Sequence, residues 1–263
     1  MNYRGIMSGI FPSITTPFTN GQVDYTRLKS NVERYNGFDL GGYMILGGNG
    51  EYLGLTPDET VNVARTIVSV SKKGRTVVAG AGRESAHATI EFIKIITDIG
   101  VDIASIITPY YFAKYMSDEK LIAYYSKIAD ESPIPILIYN SPSYAAGVEV
   151  TPNVVLKLCS HENIIGMKNS SNSEVRDYVS VVDQTSDFYL IGGKVGSLVK
   201  DFEQGAIGAT LSAADYWPQY CINIFDLLKQ NRNYIGCLFA FDKRVVFRNR
   251  RNLKPTIFPS TTI

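Results

Sequence analysis

The sequence is poor in the residues that hold metal ions and disulfide frameworks. Among 263 residues it has three cysteines, Cys159, Cys221 and Cys237, and two histidines, His87 and His161. The cysteines are odd in number and lack CxxC spacing, so neither a disulfide framework nor a zinc site is expected. Both histidines lie beside acidic residues in stretches that look exposed, without a cluster of further ligands. We therefore expect reduced, mostly buried thiols and no bound metal.

The chain also lacks an excess of charge of one sign. Lys and Arg number 26 against 25 Asp and Glu, which leaves a net charge of +1 at pH 7. Without a basic patch, nucleic acids and anionic membranes are poor candidates as partners. No segment approaches the roughly 20 apolar residues of a membrane helix, and residues 1–9 lack the apolar core of a signal peptide. We expect a soluble, cytoplasmic protein.

What the sequence does contain is a regular alternation of two kinds of segment. Hydrophobic residues make up 45% of the chain. Short apolar runs are followed by Gly, Pro or small polar residues, and then by stretches with apolar residues three and four positions apart, as in strand–helix units. The predicted strands are 10–15, 43–46, 76–79, 103–108, 135–139, 164–168, 188–191 and 209–211. The predicted helices are 25–35, 57–70, 86–97, 118–129, 153–159, 174–182, 196–202 and 220–228.

Eight such units predict an α/β fold in which a parallel sheet closes into a (β/α)8, or TIM, barrel. An open, doubly wound sheet is the structural alternative. The run Thr56-Pro57-Asp58-Glu59 predicts a helix start with a capping box, and Ser117 and Thr151 head similar starts. No break in composition divides the chain. We expect one domain over 1–263, with the barrel over about 9–218 and a short or altered C-terminal helical extension over about 219–263.

The catalytic groups of such barrels lie at the C-terminal ends of the strands. The sixth predicted strand ends at Lys168. A lysine withdrawn from water there favours the neutral amine that attacks a carbonyl carbon and forms a Schiff base. The alternative is a lysine whose ammonium group reaches solvent as an ordinary surface charge. Placement alone leaves both interpretations open.

Tyrosines occupy similar positions on the two preceding strands. Tyr139 ends the fifth strand, and Tyr110 and Tyr111 follow the fourth. A phenol within reach of an imine can transfer its protons, although a strand-end tyrosine more often only packs and makes one hydrogen bond.

Two glycine-rich segments follow other strands. Segment 47–51, after the second strand, has two interpretations: its backbone N–H groups approach a carboxylate closely, or it forms only a tight turn. Segment 80–85 imitates a dinucleotide-binding motif but lacks its third glycine, so no cofactor is expected.

Four motifs on successive strand ends together resemble the dihydrodipicolinate synthase and N-acetylneuraminate lyase superfamily. They are Gly47-Gly48-Asn49-Gly50-Glu51, Thr108-Pro109-Tyr110-Tyr111, Tyr139-Asn140-Ser141-Pro142 and Gly166-Met167-Lys168. The resemblance includes residues 11–18 and covers about residues 9–218. Members of this superfamily are (β/α)8 class I aldolases and lyases that hold pyruvate, or the 2-oxo end of a larger acid, as an imine on a lysine.

The resemblance implies a role for individual residues. Lys168 becomes the Schiff-base lysine, Tyr139 the acid/base phenol, and Tyr111 the tyrosine that reaches into the site of a neighbouring subunit. A homodimer or homotetramer is therefore expected. The expected substrate-binding residues are Gly48, Asn49, Gly50, Tyr144 and, in the eighth strand, Thr210.

Three departures from the family pattern affect the expected substrate. Gly48 stands where the family usually has a hydroxyl that links two tyrosines, while Asn49 resembles the Ser-Asn-Gly-Glu variant of 4-hydroxy-2-oxoglutarate aldolases. Tyr144 stands where synthases carry an arginine for the second substrate's carboxylate. Segment 241–259 lacks the helical period of the family's C-terminal extension.

These features predict a cofactor-free class I aldolase or lyase, a carbon–carbon lyase that cleaves or condenses a 2-oxo acid. Pyruvate would be the common three-carbon unit and an aldehyde the second substrate. The enzymatic alternative is dihydrodipicolinate (4-hydroxy-tetrahydrodipicolinate) synthase itself. The non-enzymatic alternative, suggested by Gly48 and the unusual C-terminal segment, is a catalytically lapsed paralogue that binds an oxo acid.

Overall fold

Eight parallel strands form the centre of the computed structural model, which describes residues 3–182 and 187–230. The strands are β1 (Gly9–Pro12), β2 (Gly42–Ile45), β3 (Thr76–Gly80), β4 (Ile103–Ile107), β5 (Ile136–Asn140), β6 (Ile164–Asn169), β7 (Tyr189–Gly192) and β8 (Gly208–Leu211). They pair in the order β1-β8-β7-β6-β5-β4-β3-β2. A parallel bridge between Ser13 and Met44 joins the two ends of this series. The predicted (β/α)8 barrel is therefore confirmed, and the open sheet is excluded.

One short helix precedes the first strand, and the others surround the barrel. They are α1 (Tyr3–Met7), α2 (Tyr25–Tyr35), α3 (Pro57–Val70), α4 (Ala86–Ile99), α5 (Asp118–Glu131), α6 (Pro152–Leu158), α7 (Val175–Val179), α8 (Leu198–Glu203), α9 (Ala213–Tyr216) and α10 (Pro218–Lys229). Consecutive helices from α2 to α7 pack against one another, and α9 and α10 pack on β1. The capping box predicted at Thr56 and Glu59 is present, and the Ser117 and Thr151 hydroxyls also accept bonds from the first turns of their helices.

Alternation along each strand separates two apolar layers. Residues such as Ile45, Ile106 and Ile138 point outward into a large cluster shared with the helices. Their neighbours point into the barrel, because successive side chains of a strand face opposite sides. The inner cluster consists of Met7, Phe11, Met44, Val78, Ile103, Leu137, Ile165 and Ile191. It fills the barrel below the C-terminal ends of the strands, where the polar residues of the candidate site begin.

Two short elements differ from the sequence-based expectation. Helix α1 was not predicted, and its Met7 side chain is fully buried in the inner cluster at the N-terminal end of the barrel. A two-stranded hairpin, Phe18–Thr19 with Gln22–Val23, follows β1. Its turn residues Asn20 and Gly21 both have positive φ angles, 52° and 77°, which is the preference of an Asn-Gly hairpin turn.

The C-terminal part of the described chain is helical. Helix α10 occupies the first residues of the predicted extension, whereas Cys237 and segment 241–259 lie outside the described residues. Cys159 and Cys221 are buried free thiols, as expected. Within residues 3–182 and 187–230, no helix is long and apolar enough to cross a membrane.

Strand β6 contains an irregularity that sets the direction of its C-terminal half. The register between β5 and β6 shifts between Ile136 and Leu137, so that Ile164 and Gly166 pair with consecutive residues. Gly166 has a φ of 155°, and a Cβ placed on it would lie 2.0 Å from the Tyr189 carbonyl oxygen of β7. Only glycine fits this close approach of two strands. A bulge of this kind re-aims the side chains that follow it.

Gly166→Ala should lower the free energy of unfolding by about 2–4 kcal/mol, because the new methyl group forces β6 and β7 apart. Gly196→Ala is a matched control, since a Cβ there meets nothing within 4 Å. Urea unfolding followed by circular dichroism measures both. Equal stability of the two variants would contradict the requirement for glycine at position 166.

Candidate active site

Lys168 and Tyr139 lie side by side inside the barrel. They are paired residues on β6 and β5. Met167 belongs to the outer layer, and Leu137 to the inner one, so alternation turns both Lys168 and Tyr139 inward. The Lys168 Nζ atom lies 4.2 Å from the centroid of the Tyr139 ring, and only 7% of the Lys168 surface is exposed. The side chain of Lys168 is therefore buried within the barrel and is not a solvated surface charge.

The residues that follow this pair are asparagines, and they fix the strand ends. Asn140 is fully buried; its Nδ2 donates to the Tyr178 hydroxyl at 3.0 Å, and its Oδ1 accepts from the Val150 N–H at 3.0 Å. Asn169 donates to the Ser173 carbonyl at 2.9 Å. Buried and satisfied amides of this type hold backbone rigidly. Asn140 belongs to the motif Tyr139-Asn140-Ser141-Pro142, but this role was not predicted for it.

The loop after β2 forms a tight turn over the same end of the barrel. Residues Gly48–Gly50 make one turn of 3₁₀-helix. The Thr16 hydroxyl donates to the Gly50 carbonyl at 2.7 Å, and the Asn49 Nδ2 donates to the Asp215 Oδ2 at 3.2 Å. The first N–H groups of such a turn lack acceptors within it, which suits them to a carboxylate ligand. Two of the three predicted substrate-binding residues of this loop, Asn49 and Gly50, are thus held by contacts from other segments.

Asp215 is a buried acid beside this turn. It is 5% exposed and lies in α9, directly after β8. Burial raises the pKa of its carboxyl well above the usual range, although the Asn49 side chain and the Ser13 N–H oppose the shift. Its Oδ1 has no hydrogen-bond partner among the described residues. Asp215 was not among the predicted site residues, because nothing local in the sequence distinguishes it from a surface aspartate.

Glu84 holds the aromatic loop that follows β4. One of its carboxylate oxygens accepts from the Tyr110 N–H at 3.2 Å, and the other from the Tyr111 N–H at 3.0 Å. The predicted catalytic residue Tyr111 is 75% exposed and packs edge-on against Phe112, with ring centroids 4.9 Å apart. Within one chain Tyr111 therefore lies at the surface and not with Lys168. This role of Glu84 was not predicted, although Glu84 belongs to segment 80–85 after β3.

A second phenol lies near Tyr139. Tyr52 is half-buried, and burial raises the pKa of its phenol to about 12, with the neighbouring phenols of Tyr110 and Tyr139 adding to the increase. Tyr52 is consequently uncharged at neutral pH. Its position was not predicted, because Tyr52 follows the motif over 47–51 without belonging to it.

The remaining predicted residues differ in their placement. Thr210 is 4% exposed and, since Ala209 and Leu211 point outward, it faces the barrel interior. Gly48 is exposed, and a Cβ there meets nothing within 4 Å. Tyr144, at 68% exposure, lies in the loop after β5. The structure thus joins Lys168 and Tyr139 directly and leaves Tyr111 and Tyr144 on the surrounding surface.

No cluster of three potential metal ligands exists among residues 3–182 and 187–230. The predicted surface position of His87 is confirmed, since its side chain is exposed. His161 is partly buried and its Nε2 lies 3.1 Å from the Asp130 carboxylate, while its Nδ1 accepts from the Asn163 N–H. These contacts lie at the opposite end of the barrel from Lys168 and give His161 a structural role.

The chain is similar to several proteins of known name. A model of the dihydrodipicolinate synthetase family matches residues 6–234. A 4-hydroxy-tetrahydrodipicolinate synthase of Methanothrix thermoacetophila is 32% identical over 219 residues, which cover 82% of this chain and 72% of that protein. A probable mitochondrial 4-hydroxy-2-oxoglutarate aldolase of Emericella nidulans is 27% identical over 237 residues, covering 88% and 77%.

Solved structures have the same fold. A 4-hydroxy-tetrahydrodipicolinate synthase of Methylacidiphilum fumariolicum superposes with a TM-score of 0.85 and 26% identity, over 95% of this chain and 82% of that one. A catalytic-lysine mutant of a Ruminococcus gnavus sialic acid aldolase superposes with a TM-score of 0.84 at 17% identity, over 96% and 82%. The second likeness supports the fold alone. Since the family model matches most of the sequence, the chain belongs to the dihydrodipicolinate synthetase family, a group of Schiff-base carbon–carbon lyases and synthases.

Proposed function

We propose that the protein is a class I aldolase or lyase that holds a 2-oxo acid as a Schiff base on Lys168. The observation that carries this proposal is the buried lysine at the end of β6, with its Nζ 4.2 Å from the ring of Tyr139. No other lysine of the described residues combines burial with a position at the C-terminal end of a barrel strand. Membership in a family of Schiff-base enzymes supports the same chemistry.

The chemistry follows from the arrangement of the two side chains. The neutral Lys168 amine attacks the ketone carbon, and loss of water from the carbinolamine leaves a protonated imine. This cation accepts the electron pair when the carbon–carbon bond of the substrate breaks, and releases it again when the bond forms. Tyr139 is the acid/base group, because a phenol beside the amine can exchange protons with the carbinolamine and with the reacting substrate.

The substrate's carboxylate fits the turn over Gly48–Gly50. This turn offers backbone N–H groups and the amide of Asn49 close to the mouth of the barrel. Its Gly-Asn-Gly sequence and the similarity to a probable 4-hydroxy-2-oxoglutarate aldolase favour an aldolase acting on pyruvate and a 2-oxo or hydroxy aldehyde. The synthase alternative keeps support from the relatives that are named 4-hydroxy-tetrahydrodipicolinate synthases.

Assembly and location are part of the proposal. The exposed aromatic side chains of Tyr111, Phe112 and Tyr115 form a surface suited to a second copy of the chain. We infer that Tyr111 contributes to a neighbouring site in a homodimer or homotetramer. A cytoplasmic location agrees with the use of free, buried cysteines, since Cys159 and Cys221 remain unpaired.

The first test is chemical trapping of the imine. Incubation with pyruvate and borohydride should reduce the imine to a stable secondary amine, adding one pyruvate-derived group at Lys168. Intact-protein and peptide mass spectrometry locate the label. Lys168→Ala should abolish it, whereas Lys194→Ala, which removes a lysine bonded to the Ser171 carbonyl, should not. Failure of the folded protein to trap pyruvate would favour the catalytically lapsed paralogue.

The two tyrosines should differ in their effects on turnover. Tyr139→Phe should lower kcat by roughly 10²–10⁴-fold, the usual contribution of a positioned acid or base, without unfolding the protein. Tyr111→Phe should cost less, because no hydroxyl at Gly48 connects it to Tyr139. Steady-state kinetics with one 4-hydroxy-2-oxo acid measure both. Nearly normal turnover of Tyr139→Phe would reject its assignment.

A companion variant examines the missing hydroxyl. Gly48→Ser is sterically permitted, since a Cβ there meets nothing within 4 Å. If the proton path between the tyrosines is only interrupted, this substitution should raise kcat, and the gain should disappear in the Tyr111→Phe background. A gain that persists there would assign the serine a different role.

Tyr144 tests the choice between aldolase and synthase. A phenol cannot reproduce the paired, charge-assisted hydrogen bonds of a guanidinium to a carboxylate. Aspartate semialdehyde should therefore have a lower kcat/KM than 4-hydroxy-2-oxo acids or sialic acid, and Tyr144→Arg should improve its use. A clear preference of the parent protein for the semialdehyde would reject the aldolase and support the synthase.

A further inference from the structure

We propose that Asp215 is a positioning residue: it holds Asn49, and thereby the Gly48–Gly50 turn, in the geometry that receives the substrate's carboxylate. The inference deepens the proposed function and rests on it. It concerns a residue outside the four motifs that carry the family resemblance.

The first observation is the contact itself. The Asp215 Oδ2 accepts a hydrogen bond from the Asn49 Nδ2 at 3.2 Å, between residues 166 positions apart. Asp215 follows β8 and Asn49 follows β2. Strand β1 lies between these two strands in the closed barrel, because it pairs with β8 and the bridge between Ser13 and Met44 connects it to β2. The bond therefore links the last strand–helix unit to the carboxylate-binding turn of the second. Side chains that do not touch the substrate can orient those that do.

The second observation is how Asp215 is held. Its main-chain carbonyl accepts from the Tyr35 hydroxyl at 2.9 Å, so its backbone is anchored independently of the carboxyl. The side chain is 5% exposed, and its Oδ1 has no hydrogen-bond partner among the described residues. Apart from the nearby Ser13 N–H, the carboxyl makes one side-chain hydrogen bond, and a buried carboxyl with incomplete hydrogen bonding is costly for folding alone. Its retention next to Asn49 points to a role in the site.

The surroundings of Asp215 favour an uncharged carboxyl. Tyr35 of α2 and Cys221 of α10 are the titratable groups that face it, and no lysine or arginine of the described residues forms an ion pair with it. Tyr216 is its neighbour on α9. An uncharged carboxyl accepts the Asn49 bond without repelling an incoming carboxylate. Asparagine at position 215, whose amide has the same shape as the carboxyl, should therefore preserve the contact with Asn49.

One experiment reads the turn in the ligand-free, full-length protein. Hydrogen exchange followed by mass spectrometry on peptides covering residues 47–51 should show about tenfold faster exchange in Asp215→Ala, because a partly buried hydrogen bond to the turn is lost. Asp215→Asn should exchange like the parent. Asp201→Ala is the matched control, since Asp201 is also buried on this side of the barrel but bonds to Ser197 instead. Unchanged exchange in Asp215→Ala would overturn the proposal.

The second experiment measures how pyruvate binding depends on the same residues. In borohydride trapping, Asp215→Ala should raise the pyruvate concentration for half-maximal rate about tenfold. The rate at saturating pyruvate should change less than about threefold. Asp215→Asn should restore the parental concentration dependence. A loss confined to the saturating rate, or no rescue by asparagine, would reject positioning of the carboxylate site.

A double variant tests whether Asp215 acts through Asn49. Once Asn49→Ala has raised the half-maximal concentration, adding Asp215→Ala should raise it no further, because residues that act as a unit are not additive. If the two substitutions instead multiply their effects on the half-maximal pyruvate concentration, the proposal is overturned. If the parent traps no pyruvate at all, the proposed function fails, and hydrogen exchange alone still decides whether Asp215 holds the turn.

Discussion

The register between β5 and β6 is the constraint on which the site depends. It sets Tyr139 opposite Lys168 and Asn140 opposite Asn169. Since side chains alternate between the two faces of a strand, a slip of one residue would turn Lys168 outward into the apolar layer beneath the helices. Gly166 fixes this register, because only a residue without a Cβ permits β6 to approach the Tyr189 carbonyl so closely.

Polar contacts between the segments that follow the strands then hold the residues at the strand ends in one candidate site. Asn140 ties the end of β5 to the loop before α6, Glu84 ties the loop after β3 to that after β4, and Asp215 ties the loop after β8 to that after β2. Each contact joins segments whose strands end at the same edge of the barrel. The loops carry the expected substrate contacts, so their rigidity determines how well a substrate is oriented.

Most of the barrel was predictable, because its signals are local. Apolar runs and capping residues such as Thr56 identify strands and helix starts within a few positions. Lys168 and Tyr139 could be selected for the same reason, since each ends an apolar run. Helix α1 could not, because its five residues are too few to show a helical period. The hairpin had a usable signal in Asn20-Gly21, a pair that favours this turn.

The residues that position the site could not be found this way. Glu84 acts on backbone groups 26 and 27 residues away, and Asp215 on a side chain 166 residues away. Their roles follow from where the closed barrel places them, and a local pattern contains no such information. The 75% exposure of Tyr111 was likewise not visible in the local pattern, because the position of a side chain in the closed barrel depends on the whole fold.

The charges of the buried ionisable side chains connect Lys168, Asp215 and the turn over Gly48–Gly50. Lys168, Asp201 and Asp215 are the ionisable side chains of Lys, Asp and Glu type that are buried in the described part of the chain. In the proposed mechanism the imine on Lys168 would carry a positive charge, and the substrate would bring a carboxylate that compensates it. A second anion near the turn over Gly48–Gly50 would compete with that carboxylate for the same cation and the same N–H groups. An uncharged carboxyl at Asp215 avoids this competition while still accepting the Asn49 hydrogen bond, so burial makes the acid compatible with an anionic substrate.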